Sequence, residues 1–126
     1  MHSDKRVKIA LVGAGGWGRQ HARIFSQRWD VEFCAIAGRT PEKTQSRAEQ
    51  YEVSWYTDVQ EMLDRERPDL VSLCLPNKGH FEATLQVIRA GYPLLVEKPL
   101  VFSLEEADTL LDEASARDLF FAINFN

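Results

Sequence analysis

Val7-Lys8-Ile9-Ala10-Leu11-Val12-Gly13-Ala14-Gly15-Gly16-Trp17-Gly18 is the stretch that decides how the rest of the chain is read. Its first half is a short apolar-biased strand, which runs directly into a G-x-G-x-x-G on Gly13, Gly15 and Gly18. Where a strand meets a helix, the first glycine permits the tight turn and the second lets the backbone approach a pyrophosphate, while the third allows close helix-to-strand packing. A helix is predicted over Gly16 to Gln27, so its free N–H groups and positive dipole end would face the phosphates, with Gly16 and Trp17 beside them. No cationic side chain is needed there. Glycine clusters also form ordinary turns that hold no ligand. Here a buried-type strand precedes the cluster and an amphipathic run with Trp17, Ala22 and Phe25 follows it. A second strand at Val31 to Ala37 then closes a βαβ unit of about 30 residues.

Strand and helix signals alternate through the remaining sequence without internal repeats or low-complexity stretches. Thr40-Pro41 marks a helix start, with a hydroxyl cap and proline in the first turn, and that helix should reach about Gln50. A third strand follows over Val53 to Tyr56. Thr57 with Gln60 has capping-box form and opens a helix whose Val59, Met62 and Leu63 face inward. Leu70 to Leu75 reads as the fourth strand. Phe81, Thr84, Leu85 and Ile88 then fall on one helical stripe, with Gly91 placed as its stop. Leu94 to Glu97 is the fifth strand. Ser103 and Glu106 form another capping box, starting a helix with Leu104, Ala107, Leu111 and Ala114 on one face, and Leu119 to Asn124 supplies a sixth strand. Strands joined by single helices need right-handed parallel crossovers that put helices on both faces of the sheet. The expected fold is an α/β doubly wound parallel sheet of six strands, a Rossmann-type domain spanning residues 1–126, with strand order 3-2-1-4-5-6.

Composition agrees with one core. The 126 residues are 44% hydrophobic and 27% charged, an ordinary balance for a soluble domain. A net charge of −4 argues against nucleic acid as a partner, since duplex binders show a basic face. No window approaches the roughly 18 apolar residues of a membrane span, and the polar start has no signal-peptide core behind it. Membrane partners are therefore not expected, and a cytoplasmic protein is.

Cys34 and Cys74 fall in the second and fourth strand signals. With the first strand between them, their backbones would lie about 9 to 10 Å apart, beyond the roughly 7 Å limit for a disulfide. Both read as small buried apolar residues. No Asp, Glu, His or Cys cluster has metal-ligand spacing, so no metal site is expected.

The glycine fingerprint, Pro76-Asn77 with His80 after the fourth strand, and Glu97-Lys98-Pro99 after the fifth make the chain resemble the N-terminal domain of the Gfo/Idh/MocA family, the glucose-fructose oxidoreductase and inositol dehydrogenase type. The resemblance covers Val7 to Asn126. It implies NAD(P)-dependent hydride transfer to or from a hydroxyl-bearing carbon of a sugar, polyol or related small molecule. It also implies a second α/β domain that supplies most of the substrate pocket and is absent from this chain. The full-length protein would be a homo-oligomer, and the fragment alone inactive. The chain stops where the sixth strand would hand over to that second domain. A dinucleotide-sensing regulatory module without turnover is the alternative reading; Lys98 speaks for the enzyme.

By this resemblance Lys98 lies near both nicotinamide ribose and substrate, where its ammonium can polarise a reacting hydroxyl and assist proton transfer. Read plainly, it is a solvated lysine closing a strand. Glu97 either orients Lys98, touches the cofactor, or serves as a structural pair partner. Pro76 and Asn77 follow the strand that neighbours the first one at the topological switch point, and should lie against ribose or nicotinamide. Cys74 and Leu75 would contribute backbone there, with side chains in the core. His80 is a helix cap, a cofactor contact or a surface residue.

The end of the second strand bears on which dinucleotide is preferred. NAD enzymes usually place an acidic residue about 20 residues past the fingerprint, on the ribose hydroxyls. This chain has Gly38-Arg39-Thr40 instead. Arg39 can fork onto a 2′-phosphate, Thr40 can donate its hydroxyl, and Lys43 lies one helical turn further on, so NADP is favoured over NAD. Arg39 could instead stack on adenine, which would serve either cofactor.

Overall fold

The structure, a computed structural model, describes residues 6–13, 16–74, 80–97 and 104–124. Eleven elements alternate among the described residues: β1 (Val7–Val12), α1 (Gly16–Gln27), β2 (Val31–Ala37), α2 (Pro41–Tyr51), β3 (Ser54–Tyr56), α3 (Val59–Glu66), β4 (Leu70–Leu73), α4 (His80–Arg89), β5 (Leu94–Glu97), α5 (Leu104–Ala116) and β6 (Phe121–Asn124). The strands form one six-stranded sheet in the order β3-β2-β1-β4-β5-β6, with every neighbouring pair parallel. This is the doubly wound order expected from the alternation. No helix among the described residues is long and apolar enough to cross a membrane.

Strands buried on both faces need apolar residues at consecutive positions rather than at alternate ones. Leu11 and Ile36 turn to one face, against Ala22 of α1 and Ala48 of α2. Ala10, Val12, Ala35, Val71, Leu73, Leu94 and Val96 turn to the other. There they meet Met62 and Leu63 of α3, Val87 and Ile88 of α4, and Leu110 and Ala114 of α5. The small residues Ala22 and Ala48 let α1 and α2 sit close over β1 and β2, all with negligible exposure.

Two of the expected strands begin later than predicted, for one shared reason. After α2, Glu52 takes a left-handed φ of 57° and Val53 donates its N–H back to the Ala48 carbonyl at 3.0 Å. After α5, Asp118 sits at φ 54° and Leu119 donates to Ala114 at 2.9 Å. Gly91 does the same after α4 at φ 92°, with Tyr92 donating to Val87 at 3.2 Å. An N–H spent on closing a helix cannot join a sheet ladder, so β3 starts at Ser54 and β6 at Phe121. The apolar residue after each left-handed position packs on the core beneath it.

Helix starts differ as well. Asp58, not Thr57, caps α3, accepting from the Gln60 N–H at 2.9 Å; a carboxylate one residue nearer the helix is the stronger acceptor. The Thr40 hydroxyl makes no capping bond to α2. Proline at the first position already sets the helical φ, and the Thr40 carbonyl takes both the N–H of Thr44 and its hydroxyl, at 2.9 and 2.8 Å. On α5 the buried stripe runs through Leu110, while Leu111 is 53% exposed. Ala114 of the predicted face is buried and Ala107 half-buried, so the misreading is confined to the leucine between them, Leu111 taken for Leu110. Ser103, the first member of the predicted box, lies outside the described residues.

Between Ile9 and Ala10 the β1–β2 register slips: Ile9 pairs with Phe33 and Ala10 with Ala35. Cys34 is the residue left over, and its thiol donates to the Ile9 carbonyl at 3.3 Å. Burial, reinforced by the Glu66 carboxylate, pushes this thiol up to about 12. Glu66 also accepts the Tyr56 hydroxyl at 2.6 Å, and burial followed by that bond pushes the phenol up to about 12. Neither cysteine forms a disulfide. Cys74 lies one residue past the end of β4 rather than inside it.

Candidate functional site

In an open parallel sheet the ligand crevice forms beyond the carboxyl ends of the strands, where neighbouring crossovers leave in opposite directions. Here that point lies between β1 and β4. Short backbone bonds tie the strand ends together across it. The Cys74 N–H donates to the Val12 carbonyl at 2.8 Å, the Gly13 N–H to Ala37 at 2.8 Å, and the Gly38 N–H to Tyr56 at 3.0 Å.

Gly13 has φ +120°, a conformation that side chains rarely adopt. A Cβ built on it would run into the Cys74 carbonyl. The first glycine of the fingerprint is thus fixed twice, by its own turn and by the backbone of the adjoining strand. Three residues after Gly13 the helix α1 begins at Gly16 and carries Trp17 and Gly18 in its first turn, which brings its N-terminus to the end of β1. Those N–H groups are the ones an anion would meet.

A cavity of about 260 Å³ opens beside this point. Its apolar lining comes from Val12, Ala37, Val59 and Ala83, and its polar lining from Gly38, Arg39, Thr57, Glu82 and Gln86. The volume falls below the roughly 300–1,000 Å³ of pockets that take whole drug-sized ligands, so it suits one end of a dinucleotide. Arg39 lies in the lining, immediately past β2. Thr40 stands at the head of α2 with its hydroxyl unused for capping, whereas Lys43 is exposed and not part of the lining.

His80 is the first residue of α4 and Glu97 the last of β5, where it pairs with Asn124 of β6. Gly15, Leu75, Pro76, Asn77 and Lys98 lie outside the described residues. The sequence reading did not single out Thr57, Glu82 or Gln86 as site residues. The signal was available in α4: Glu82 and Gln86 are one turn apart, flanking the buried stripe on a helix that leaves the switch-point strand.

Residues 7–125 match the model of an oxidoreductase family with an NAD-binding Rossmann fold, Gfo/Idh/MocA. The chain belongs to this family. Among similar proteins, D-glucoside 3-dehydrogenase of Escherichia coli strain K12 is 34% identical over 122 residues, covering 95% of this chain and 35% of its own length. Glucose-6-phosphate 3-dehydrogenase of Bacillus subtilis strain 168 is 29% identical, covering 94% and 33%. The crystal structure of GenD2 from gentamicin A biosynthesis in complex with NAD superposes with a TM-score of 0.90 at 29% identity, over 98% of this chain and 36% of that one. The chain thus spans about a third of the length of the Gfo/Idh/MocA relatives it matches. Its sheet order, β3-β2-β1-β4-β5-β6, is the doubly wound order of the Rossmann fold that the family model describes.

Proposed function

We propose that residues 1–126 are the dinucleotide-binding domain of a longer cytoplasmic, homo-oligomeric dehydrogenase that prefers NADP and acts on a sugar or polyol. The observation that carries the cofactor preference is Arg39 in the lining of the cavity at the end of β2, where NAD enzymes usually hold a carboxylate. A guanidinium forks onto a phosphate with two parallel bonds. The unused Thr40 hydroxyl and the N-terminal N–H groups of α2 add donors for the same 2′-phosphate, and exposed Lys43 adds charge. The apolar cavity lining suits an adenine face. The fit to a nicotinamide dinucleotide is therefore good.

In this reading Gly13, Gly15, Gly16, Trp17 and Gly18 would hold the pyrophosphate. Cys74, Leu75, Pro76, Asn77 and His80 border the ribose and nicotinamide. A nicotinamide held there would supply the hydride-transfer chemistry. Lys98 holds and transfers the proton of the substrate hydroxyl, with Glu97 orienting it. Sugar chemistry is carried over from the names of the relatives, several of which are sugar dehydrogenases.

Calorimetric titration tests the cofactor assignment. The chain should bind NADP more tightly than NAD. Arg39→Ala should cost roughly 1.5–3 kcal/mol for NADP alone, the worth of a hydrogen bond to a charged group. Equal losses for both cofactors would mean that Arg39 stacks on adenine.

A further inference from the structure

We propose that Glu82 selects the purine of the dinucleotide, accepting the exocyclic 6-amino group of adenine and rejecting bases that carry a 6-oxo group. The inference rests on the reading that the cavity beside Arg39 receives the adenosine end. Its own support is the chemistry of the wall contributed by α4. Glu82 and Gln86 stand one helical turn apart and line the same cavity as Ala83. Among the described residues neither side chain has a hydrogen-bond partner. A base bound on the apolar lining would present its polar edge to groups that no other described residue has claimed.

The polar lining side chains differ in whether their hydrogen-bonding sense is fixed. The Gln86 amide can pair with an amino group and ring nitrogen together, as glutamine does with adenine. Turned over, the same amide serves a 6-oxo base equally well. The Thr57 hydroxyl is also both donor and acceptor. Neither can discriminate. An ionised carboxylate only accepts and a guanidinium only donates, so Glu82 and Arg39 alone carry a fixed sense. They stand on different elements, Arg39 past β2 and Glu82 on α4. The donor-only group matches the phosphorylated ribose at the β2 end, which leaves the acceptor-only group for the 6-amino donor. A 6-oxo base would set oxygen lone pairs against the carboxylate, with the loss that attends an unpaired polar contact.

Fluorescence titration with NADPH and with its hypoxanthine analogue, which differs only by the 6-oxo group, tests this directly. The wild-type chain should bind NADPH about tenfold or more tightly than the analogue, the range of one good base-edge contact. Glu82→Gln should bring the ratio close to one, because the new amide can turn over. Gln86→Leu should weaken both ligands alike and keep the ratio. Glu82 is exposed, so Glu82→Gln should retain the wild-type melting temperature, and a role confined to the helix dipole would leave the ratio unmoved. A wild-type ratio near one, or an unchanged ratio in Glu82→Gln, overturns the proposal while leaving the cofactor assignment intact. A loss in Glu82→Gln that is larger for NADH than for NADPH, with no change between bases, would place Glu82 on the ribose hydroxyls and also overturn it. Failure of the wild type to bind any dinucleotide overturns the cofactor reading together with this one.

Discussion

Replacing Gly13 with alanine should be among the most damaging single-methyl changes this domain can suffer. At φ +120° any side chain is strained, at about 1–3 kcal/mol. The new Cβ also meets the Cys74 carbonyl, which is backbone and cannot rotate away. Relief requires the ends of β1 and β4 to part, which puts two backbone bonds at risk: Cys74 N–H to Val12 and Gly13 N–H to Ala37, both 2.8 Å. At about 0.5–1.5 kcal/mol each, the total comes to about 2–6 kcal/mol, a large share of the roughly 5–15 kcal/mol that holds a domain folded. Gly91→Ala is the control, because Gly91 is also left-handed at φ 92° but has nothing within 4 Å of a new Cβ. It should lose only about 1–2 kcal/mol of conformational strain. The gain from a less flexible unfolded chain is common to both variants and cancels. Urea unfolding with an unchanged m-value gives the two losses. Equal losses at the two positions would refute the collision and leave only the turn.

Alkaline stability should fall in a defined window. Cys34 and Tyr56 both favour their protonated forms in the fold, each pushed up to about 12 from ordinary values of 9.0 and 10.0. Their contribution is complete below the unfolded values and disappears as pH climbs toward 12, so melting temperature should be flat near neutrality and fall above about pH 9. Cys34→Ala should remove the earlier part of that fall, and a decline already complete at pH 8 would contradict the assignment. In the full-length enzyme, Lys98→Ala should reduce kcat by about 10² to 10⁴-fold while cofactor affinity changes much less, as for a positioned acid-base group. Near-normal turnover in steady-state kinetics would reduce Lys98 to a strand-end charge.

The fold was legible because its signals are periodic and redundant. Consecutive apolar residues in β1, β2 and β4, and the stripe Phe81, Thr84, Leu85 and Ile88 on α4, survive any small error of register. Boundaries were less legible where the chain turns left-handed without glycine. Gly91 announced the end of α4, but Glu52 and Asp118 take the same conformation with no mark in the sequence, and so β3 and β6 were read one and two residues too long. On α5, Leu110 and Leu111 are adjacent and equally apolar, and only the way α5 packs beside α4 and onto the core decides which one is buried. The Cys34 bulge had no local signal at all. In the site, glycines and Arg39 stood out because each is unusual at its position. Glu82 and Gln86 did not, since an i, i+4 polar pair is what any solvent-facing helix carries.

The division of labour between backbone and side chain has a consequence that experiment can separate. Gly13, Ala37, Gly38 and Cys74 fix the crevice through main-chain bonds between buried strand ends, and changes there should lower stability with little effect on which dinucleotide is preferred. Arg39 and Glu82 are exposed residues, one past β2 and one on α4, that line the same cavity. Each meets a different part of the ligand in the proposed reading, so their effects on binding should add: the double variant Arg39→Ala with Glu82→Gln should show the sum of the two single losses, as groups without a shared partner do. A coupling between them would mean that guanidinium and carboxylate pair with one another across the cavity. In that case the preference for phosphate and the preference for adenine would be set by one ion pair rather than by two independent contacts.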